Sequence, residues 1–170
     1  QGNVVIDKTV GTLDGKAPVL PESVYVYDLA SITKVAATAN ALMTLCANDG
    51  LDLDWPMSQL LPSLDTLEMG SRTVREFVTH QAGLESWIPF YRKALADSSG
   101  VFGEVATDGC DMQIMPDLYL EESYRDSIWH MILTSEVKPA GQYKYSDLGF
   151  YLWRQILENA GMDIQDWMSI

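Results

Sequence analysis

Two side chains near the start of the chain have the chemistry and spacing of a serine nucleophile with a lysine partner. Ser31 and Lys34 lie three positions apart, which places both side chains on one face of a helix. A serine hydroxyl is a poor nucleophile and needs an adjacent base, and a lysine amine is such a base when burial or a neighbouring charge lowers its pKa. The start of a helix also favours a developing alkoxide. The pair therefore indicates acyl transfer through a serine.

The spacing alone has little specificity. Serine and lysine are common, so about one chance match is expected in a chain of this length. A second match exists at Ser135 and Lys138, but Pro139 follows it and disfavours helical geometry for Lys138. Ser31 differs because it precedes a long apolar helical pattern. That pattern consists of Val35, Ala39, Leu42 and Cys46, widened by Ile32, Ala36 and Met43.

A second polar triplet, Tyr145-Ser146-Asp147, lies at the entrance to the last predicted helix. By itself it is compatible with an ordinary turn and helix N-cap. Neither of the two histidines, His80 and His130, directly adjoins a cysteine or a carboxylate. The sequence therefore predicts neither a metal site nor a Ser–His–Asp triad.

The elements that must position these side chains follow from periodicity and turn residues. A capping box of Thr73 and Glu76 predicts a short helix that runs to about His80 and ends by Gly83. Residues 97–118 are polar and lack a period, so they are interpreted as a long surface excursion. The remaining predicted elements are strands over Asn3–Asp7 and Ser23–Tyr27 and helices over about 31–48, 122–135 and 147–159.

Composition excludes several classes of protein. A hydrophobic content of 47% and a charged content of 21% are typical of a folded domain. The net charge of −13 disfavours nucleic acid and anionic lipid as partners. The most apolar helical segment, 35–47, is too short and too polar to span a bilayer, and no secretory signal opens the chain. Cys46 and Cys110 are interpreted as two unpaired thiols.

Taken together, these motifs resemble the serine β-lactamase and penicillin-binding-protein superfamily, and most of all its class C β-lactamase and esterase branch. The resemblance covers most of residues 20–160 except 97–118. It rests on four segments. They are Tyr27–Lys34, similar to the nucleophile segment; Asn48–Asp54 with Leu61-Pro62; Thr73–Leu84, similar to Thr-His-x-Ser-Gly-Leu; and Pro139 with Tyr145–Phe150, similar to Pro-Gly…Tyr-Ser-Asn-x-Gly-Tyr.

The resemblance implies an α+β fold, here mainly its helical lobe with a few short N-terminal strands, and no cofactor. It implies that Ser31 forms the acyl-enzyme, that Lys34 helps to take its proton, and that Tyr145 acts as general base and acid. Asp147 stands where the family has a substrate-binding asparagine. An ionised Asp147 cannot donate a hydrogen bond and would hold Lys34 protonated, so Tyr145 is favoured as the base.

The third family motif, a Lys or His followed one residue later by Gly on a sheet strand, is not found after Asp147. Residues 148–170 contain no lysine and no histidine. We therefore expect residues 1–170 to be a single partial domain that lacks the C-terminal part of the sheet. Because losing one oxyanion donor costs roughly a hundredfold in rate, the isolated chain is expected to be a weak hydrolase.

Two functions remain open at this point. One is a serine hydrolase acting on a β-lactam, a D-Ala peptide or a small ester; the other is a binding or structural module in which catalysis has lapsed. The intact Ser31, Lys34 and Tyr145 favour the first, and Asp147 together with the absent third motif favours the second. The resemblance implies a periplasmic or extracellular location and a small-molecule or peptidoglycan-like substrate, and it is compatible with fusion to further domains in a longer parent chain.

Overall fold

A computed structural model describes residues 3–6, 8, 10–12, 15–16, 27–96 and 100–162. The chain divides into two compact units, residues 1–31 and 32–170. The α+β class predicted from the sequence is confirmed by the helices and the sheet of the second unit. The described elements are α1 (Asn40–Asn48), α2 (Met57–Leu60), α3 (Val74–Val78), α4 (Phe90–Ala96), α5 (Ser123–Leu133), α6 (Leu148–Asn159), β1 (Phe102–Gly103), β2 (Met112–Met115) and β3 (Leu118–Leu120).

In the first unit, the strand predicted over Asn3–Asp7 is wrong for residues 3–6, which lie in no strand. Val4, Val5 and Ile6 are exposed, and β-prone residues form a strand only where a partner strand pairs their backbone groups. Asp7 lies outside the described residues. So does most of the second predicted strand, whose last residue, Tyr27, is not in a strand.

The helix predicted from Ser31 is formed from Ile32 onward, but its first part is a π-helical turn, Lys34–Ala39, that leads into α1. The side-chain amide of Asn40 donates hydrogen bonds to the carbonyl oxygens of Val35 at 3.2 Å and Ala36 at 2.8 Å. A side chain inserted into the helical ladder in this way distorts the regular α-helical register.

The buried face of this helix differs from the predicted stripe. Leu42 is buried as expected, whereas Ile32, Val35 and Met43 are exposed. Small residues cover the buried side instead, together with one buried hydroxyl: they are Ala37, Thr38 and Ala41. Periodicity identified the helix, but the face that packs inward was decided by the elements it meets.

The main core of the second unit is built around α6. Its apolar side chains recur at helical spacing, as the sequence predicted, and they pack against the helices and turns of residues 51–84. Side chains that are almost completely inaccessible to solvent include Leu148, Leu152, Trp153 and Leu157 of α6 with Met57, Leu64, Met69 and Val74.

A small antiparallel sheet, ordered β1-β3-β2, lies within the segment predicted to be an irregular excursion. That prediction is wrong for residues 102–103, 112–115 and 118, which lie in strands. Strands of two to four residues are too short to show a period-2 pattern in the sequence. A second cluster of Ala94, Val101, Leu120 and Tyr124 stabilises the sheet, and the Tyr124 hydroxyl donates to the Phe90 carbonyl at 3.2 Å.

The predicted capping box at the start of α3 is confirmed. The Thr73 hydroxyl accepts from the Glu76 amide at 3.2 Å, and the Glu76 carboxylate accepts from the Thr73 amide at 2.7 Å. After α3 the backbone turns sharply, with a positive φ of 58° at His80 and of 80° at Gly83. This turn leads into the segment that holds the polar triplet.

Residues 80–86, here called the anchor segment, bind residues 138–147 through backbone hydrogen bonds at four points. Each bond is between 2.8 and 2.9 Å long, and together they fix the path of the chain that enters α6. The four pairs, with the donor first, are Lys138 and Gly83, Gly141 and Gln81, Lys144 and His80, and Asp147 and Ser86.

Gly83 is the tightest point of this arrangement, and we expect Gly83→Ala to loosen it. A Cβ at residue 83 would collide with the Lys138 carbonyl, in addition to the cost of a left-handed conformation for alanine. The free energy of unfolding in urea should fall by about 2–5 kcal/mol.

Gly50→Ala is the matched control. Gly50 has a similar φ of 70°, but a Cβ there meets nothing within 4 Å, so the loss should be only about 1–2 kcal/mol. Equal losses for the two variants would contradict a steric role for the Gly83–Lys138 contact.

Candidate active site

Lys34 and Asp147 form an ion pair that joins the π-helical turn to the start of α6. The Lys34 ammonium lies 2.7 Å from Asp147 Oδ1. Only 17% of the Lys34 side chain is exposed, against 42% for Asp147, so the cation is shielded from water while the carboxylate remains partly solvated. A charge that is this far removed from water needs such a partner.

Tyr145 lies beside this ion pair. The Lys34 ammonium is 5.3 Å from the centre of the Tyr145 ring and 5.2 Å from that of Phe150, at distances where aromatic rings attract a cation. The Tyr145 side chain also helps to raise the pKa of the Lys34 ammonium. Three of the four predicted site residues, Lys34, Tyr145 and Asp147, are therefore in contact within the second unit.

The environment keeps Lys34 protonated. Burial alone would lower the pKa of the Lys34 ammonium, but hydrogen bonds and charge interactions with Asp147 and Tyr145 outweigh it and raise the pKa above the ordinary value of 10.5. At neutral pH Lys34 is thus a cation, which stabilises negative charge nearby but does not accept a proton.

The side chain that caps α6 is Ser146, not Asp147. The buried Ser146 hydroxyl accepts from the Leu148 amide at 3.1 Å and donates to the Glu85 carbonyl at 2.5 Å. Asp147 makes no capping hydrogen bond, which leaves its carboxylate available to Lys34. Sequence reasoning assigned no separate role to Ser146; a serine two residues before the first helical amide is the signal that indicates a cap.

His80 is a second residue that sequence reasoning left out of the site. Its Nδ1 accepts from the Ser146 amide at 3.1 Å, and its ring lies against that of Tyr145, with 4.4 Å between the ring centres. Burial and the charge of Lys34 lower the pKa of the imidazole, against an opposing effect of Asp147. The sequence around residue 80 does not predict the contact between His80 and Ser146, because the two residues are 66 positions apart.

Ser31 is the last residue of the first unit and is exposed. It follows Ala30, whose φ of 44° is in the left-handed region, and the Ala30 amide donates to Asp28 Oδ1 at 2.8 Å. Such a conformation costs about 1–2 kcal/mol for a non-glycine residue. The sharp turn before Ser31 is therefore held locally by Asp28.

Other features of the described residues lie outside this constellation. A groove of about 660 Å³ is lined by Glu121, Glu122, Arg125, Asp126 and Trp129, among others, and includes none of the predicted site residues. Within the described ranges, no group of His, Cys, Asp and Glu is arranged to hold a metal ion. In the same ranges, no helix has the length and apolar character needed to cross a bilayer.

Comparison with known proteins identifies a family for this chain. The family model described as beta-lactamase matches residues 1–169. Among solved structures, a class C beta lactamase from Rhodobacter sphaeroides is similar, with a TM-score of 0.51 and 21% sequence identity. The match covers 94% of this chain and 37% of that one, so the chain spans little more than a third of that structure. No functionally curated protein matches significantly.

Ser146→Ala should destabilise the start of α6. The Glu85 carbonyl and the Leu148 amide would each lose a buried partner, which lowers the free energy of unfolding by about 1–3 kcal/mol. Ser123→Ala is the control, because the Ser123 hydroxyl bonds only an exposed carboxylate, that of Glu121, and its loss should cost less than about 0.5 kcal/mol. Urea denaturation that ranks the two variants in the opposite order would contradict the capping role.

Asp147→Asn should lower the pKa of Lys34, because the substitution removes the largest influence that raises it. An NMR titration of the Lys34 side chain measures the shift. Glu158→Gln is the matched control; it removes the same charge from the exposed pair with Arg154 on α6 and should leave the Lys34 titration unchanged.

The Lys34–Asp147 ion pair should also make the free energy of unfolding depend on pH. Because the pKa of Lys34 is higher in the folded chain than its ordinary value of 10.5, the contribution of the pair is complete below about pH 10.5 and is lost as the pH rises through the folded pKa. A wild-type stability profile identical to that of Asp147→Asn across this window would show that the pair contributes nothing.

Proposed function

The chain belongs to the beta-lactamase family, and from that premise we propose that it is a serine acyl-hydrolase module that forms an acyl-enzyme on Ser31. The observation that carries this proposal is the Lys34–Asp147 ion pair with Tyr145 beside it. The pair holds the Lys34 ammonium, only 17% exposed, beside the phenol to which this proposal assigns proton transfer. The substrate classes are a β-lactam, a D-Ala peptide or a small ester.

In the first step, the Ser31 hydroxyl oxygen attacks the carbonyl carbon of the substrate and its proton passes to the Tyr145 phenolate. The carbonyl carbon then releases its nitrogen or oxygen leaving group, which takes the proton back from Tyr145. This leaves an ester between Ser31 and the acyl group. In the second step, Tyr145 takes a proton from water, the resulting hydroxide attacks the ester carbonyl, and Ser31 is released with its proton restored.

Tyr145 is assigned as the base in preference to Lys34 for an electrostatic reason. A base must be unprotonated at the working pH, whereas Asp147 and Tyr145 raise the pKa of Lys34. In this proposal Lys34 therefore acts as a fixed cation throughout and stabilises negative charge that develops during each proton transfer.

A second candidate function is a binding or structural module of the same fold in which hydrolysis has lapsed. The observation that favours it is again Asp147. An ionised carboxylate accepts hydrogen bonds but does not donate one to a substrate carbonyl, and this one is engaged with Lys34 at 2.7 Å. Under this alternative the ion pair stabilises the fold and Ser31 has no special reactivity.

For either function we infer a periplasmic or extracellular location and a small-molecule or peptidoglycan-like partner, both on the family resemblance. The net charge of −13 is unfavourable for binding nucleic acid. Fusion to further domains in a longer protein is compatible with both functions and follows from neither.

Labelling with a fluorophosphonate tests the hydrolase proposal. The serine oxygen bonds to phosphorus, fluoride leaves, and the hydroxyl proton is lost to the base, so the intact mass rises by that of the probe less HF. We expect one adduct, mapped by peptide sequencing to Ser31, and at least a hundredfold slower labelling of Tyr145→Phe, as for loss of a general base.

Two serine variants make the outcome specific. Ser31→Ala should abolish the adduct, whereas Ser135→Ala, which removes the other serine spaced three residues from a lysine, should leave it unchanged. An adduct that maps elsewhere, or complete absence of labelling in the wild-type chain, would favour the lapsed module.

A further inference from the structure

The backbone on both sides of Tyr145 is bound to a single residue, His80. The His80 carbonyl accepts from the Lys144 amide at 2.8 Å, and the His80 Nδ1 accepts from the Ser146 amide at 3.1 Å. One bond uses the main chain of His80 and the other its side chain. Tyr145 is thereby held between two fixed amides.

The imidazole also contacts the Tyr145 side chain directly. The two rings are 4.4 Å apart at an interplanar angle of 36°, and Phe150 lies 5.6 Å from the imidazole. Tyr145 is 40% exposed, and on the protein side its ring lies against His80 and near the Lys34 ammonium.

This arrangement has an energetic cost, which indicates that the tertiary contacts maintain it. His80 has a φ of 58°, in the left-handed region that costs a non-glycine residue about 1–2 kcal/mol. Histidine, asparagine and aspartate are the side chains most often found there. The hydrogen bonds to Lys144 and Ser146 are available to offset that cost.

We propose that His80 is a positioning residue for Tyr145, which it holds beside Lys34 through the Ser146 amide and the stacked imidazole ring. The inference rests on the proposed function, in which Tyr145 transfers the proton. It assigns His80 no contact with substrate.

The positioning bond depends on the protonation state of His80. Nδ1 accepts a hydrogen bond only while it carries no proton. The titratable groups that face the ring are Lys34 on the π-helical turn and Tyr143, Tyr145 and Asp147 on the segment before α6. Burial and Lys34 lower the pKa of His80 from its ordinary value of 6.5, so the neutral form that the bond requires prevails at neutral pH.

Protonation of His80 makes the stability of the folded chain depend on pH. The unfolded chain takes up this proton near pH 6.5 and the folded chain only at lower pH, so folding is favoured by the neutral form and stability falls as the pH drops below about 6.5. Once His80 is protonated, the Ser146 amide loses its acceptor and an imidazolium faces the Lys34 ammonium. Tyr145 should then be less well held.

Two variants separate the hydrogen bond from the backbone strain. His80→Asn places an amide oxygen near the position of Nδ1, tolerates the left-handed conformation and does not titrate. His80→Gly tolerates the same backbone but has no acceptor. Both variants lose the ring, so the difference between them reports the bond to Ser146.

The first measurement is the rate of fluorophosphonate labelling of Ser31 in the full chain. We expect His80→Gly to label about tenfold more slowly than His80→Asn, the typical effect of one lost hydrogen bond. The ratio of the His80→Asn rate to the wild-type rate should rise as the pH falls from 7.5 to 5, because only the wild type loses its acceptor. Groups other than His80 titrate in both proteins, so their effect on the labelling rate cancels in this ratio.

The second measurement does not require activity. The exchange rate of the Ser146 amide hydrogen, divided by that of Lys144, should be about tenfold higher in His80→Gly than in the wild type and close to wild type in His80→Asn. The Lys144 amide is the internal control, because it binds the His80 main-chain carbonyl and needs no side chain at residue 80.

The two readouts distinguish the proposals. Absence of labelling in the wild type would refute the proposed function, whereas unchanged Ser146 protection in His80→Gly would refute the role of His80. A pH-independent ratio of labelling rates would also overturn it.

Discussion

The electrostatics of the candidate site depend on the ion pair between Lys34 and Asp147. At 2.7 Å the pair joins two elements that are far apart in the sequence, the π-helical turn and the start of α6. It also determines which chemistry is available, because a lysine held as a cation cannot be the base. The family resemblance leads to an asparagine at position 147, whereas the aspartate found there, against the effect of burial, helps to raise the pKa of Lys34.

Two adjacent residues divide the tasks at the start of α6: Ser146 caps the helix, and Asp147 pairs with Lys34. Ser146 is buried and satisfies both the Leu148 amide and the Glu85 carbonyl, tasks that the first polar side chain of a helix commonly performs. The Asp147 carboxylate is then left to face Lys34. Because the Ser146 hydroxyl caps α6, the Asp147 carboxylate is available to pair with Lys34.

The anchor segment, residues 80–86, holds the chain that carries Ser146 and Asp147 in place. Its backbone binds residues 138–147 at four points, and it contains two left-handed positions, at His80 and Gly83. Gly83 permits the close approach of the Lys138 carbonyl. His80 adds a side-chain acceptor to the same backbone frame. Strained positions beside a functional group are often maintained in this way by the surrounding contacts.

The sequence by itself determined the longer helices and the start of α3, because those depend on residues three or four positions apart; the short helices α2 and α4 were not predicted. The capping box of Thr73 and Glu76 and the apolar spacing of α6 were both predicted and both confirmed. The spacing of Ser31 and Lys34 and the triplet at residues 145–147 likewise indicated the family. Very short strands were missed, since two to four residues carry no measurable period.

Only the tertiary structure decided which of these side chains meet. The contacts of Lys34 with Asp147 and of His80 with Ser146 join residues whose separation leaves no local pattern. It also decided that Ser146 and not Asp147 caps α6, and that Val35 and Met43 face outward while Leu42 is buried. The physical reason is that local backbone preference acts over one helical turn, whereas burial and charge pairing are set by the packing of the elements against each other.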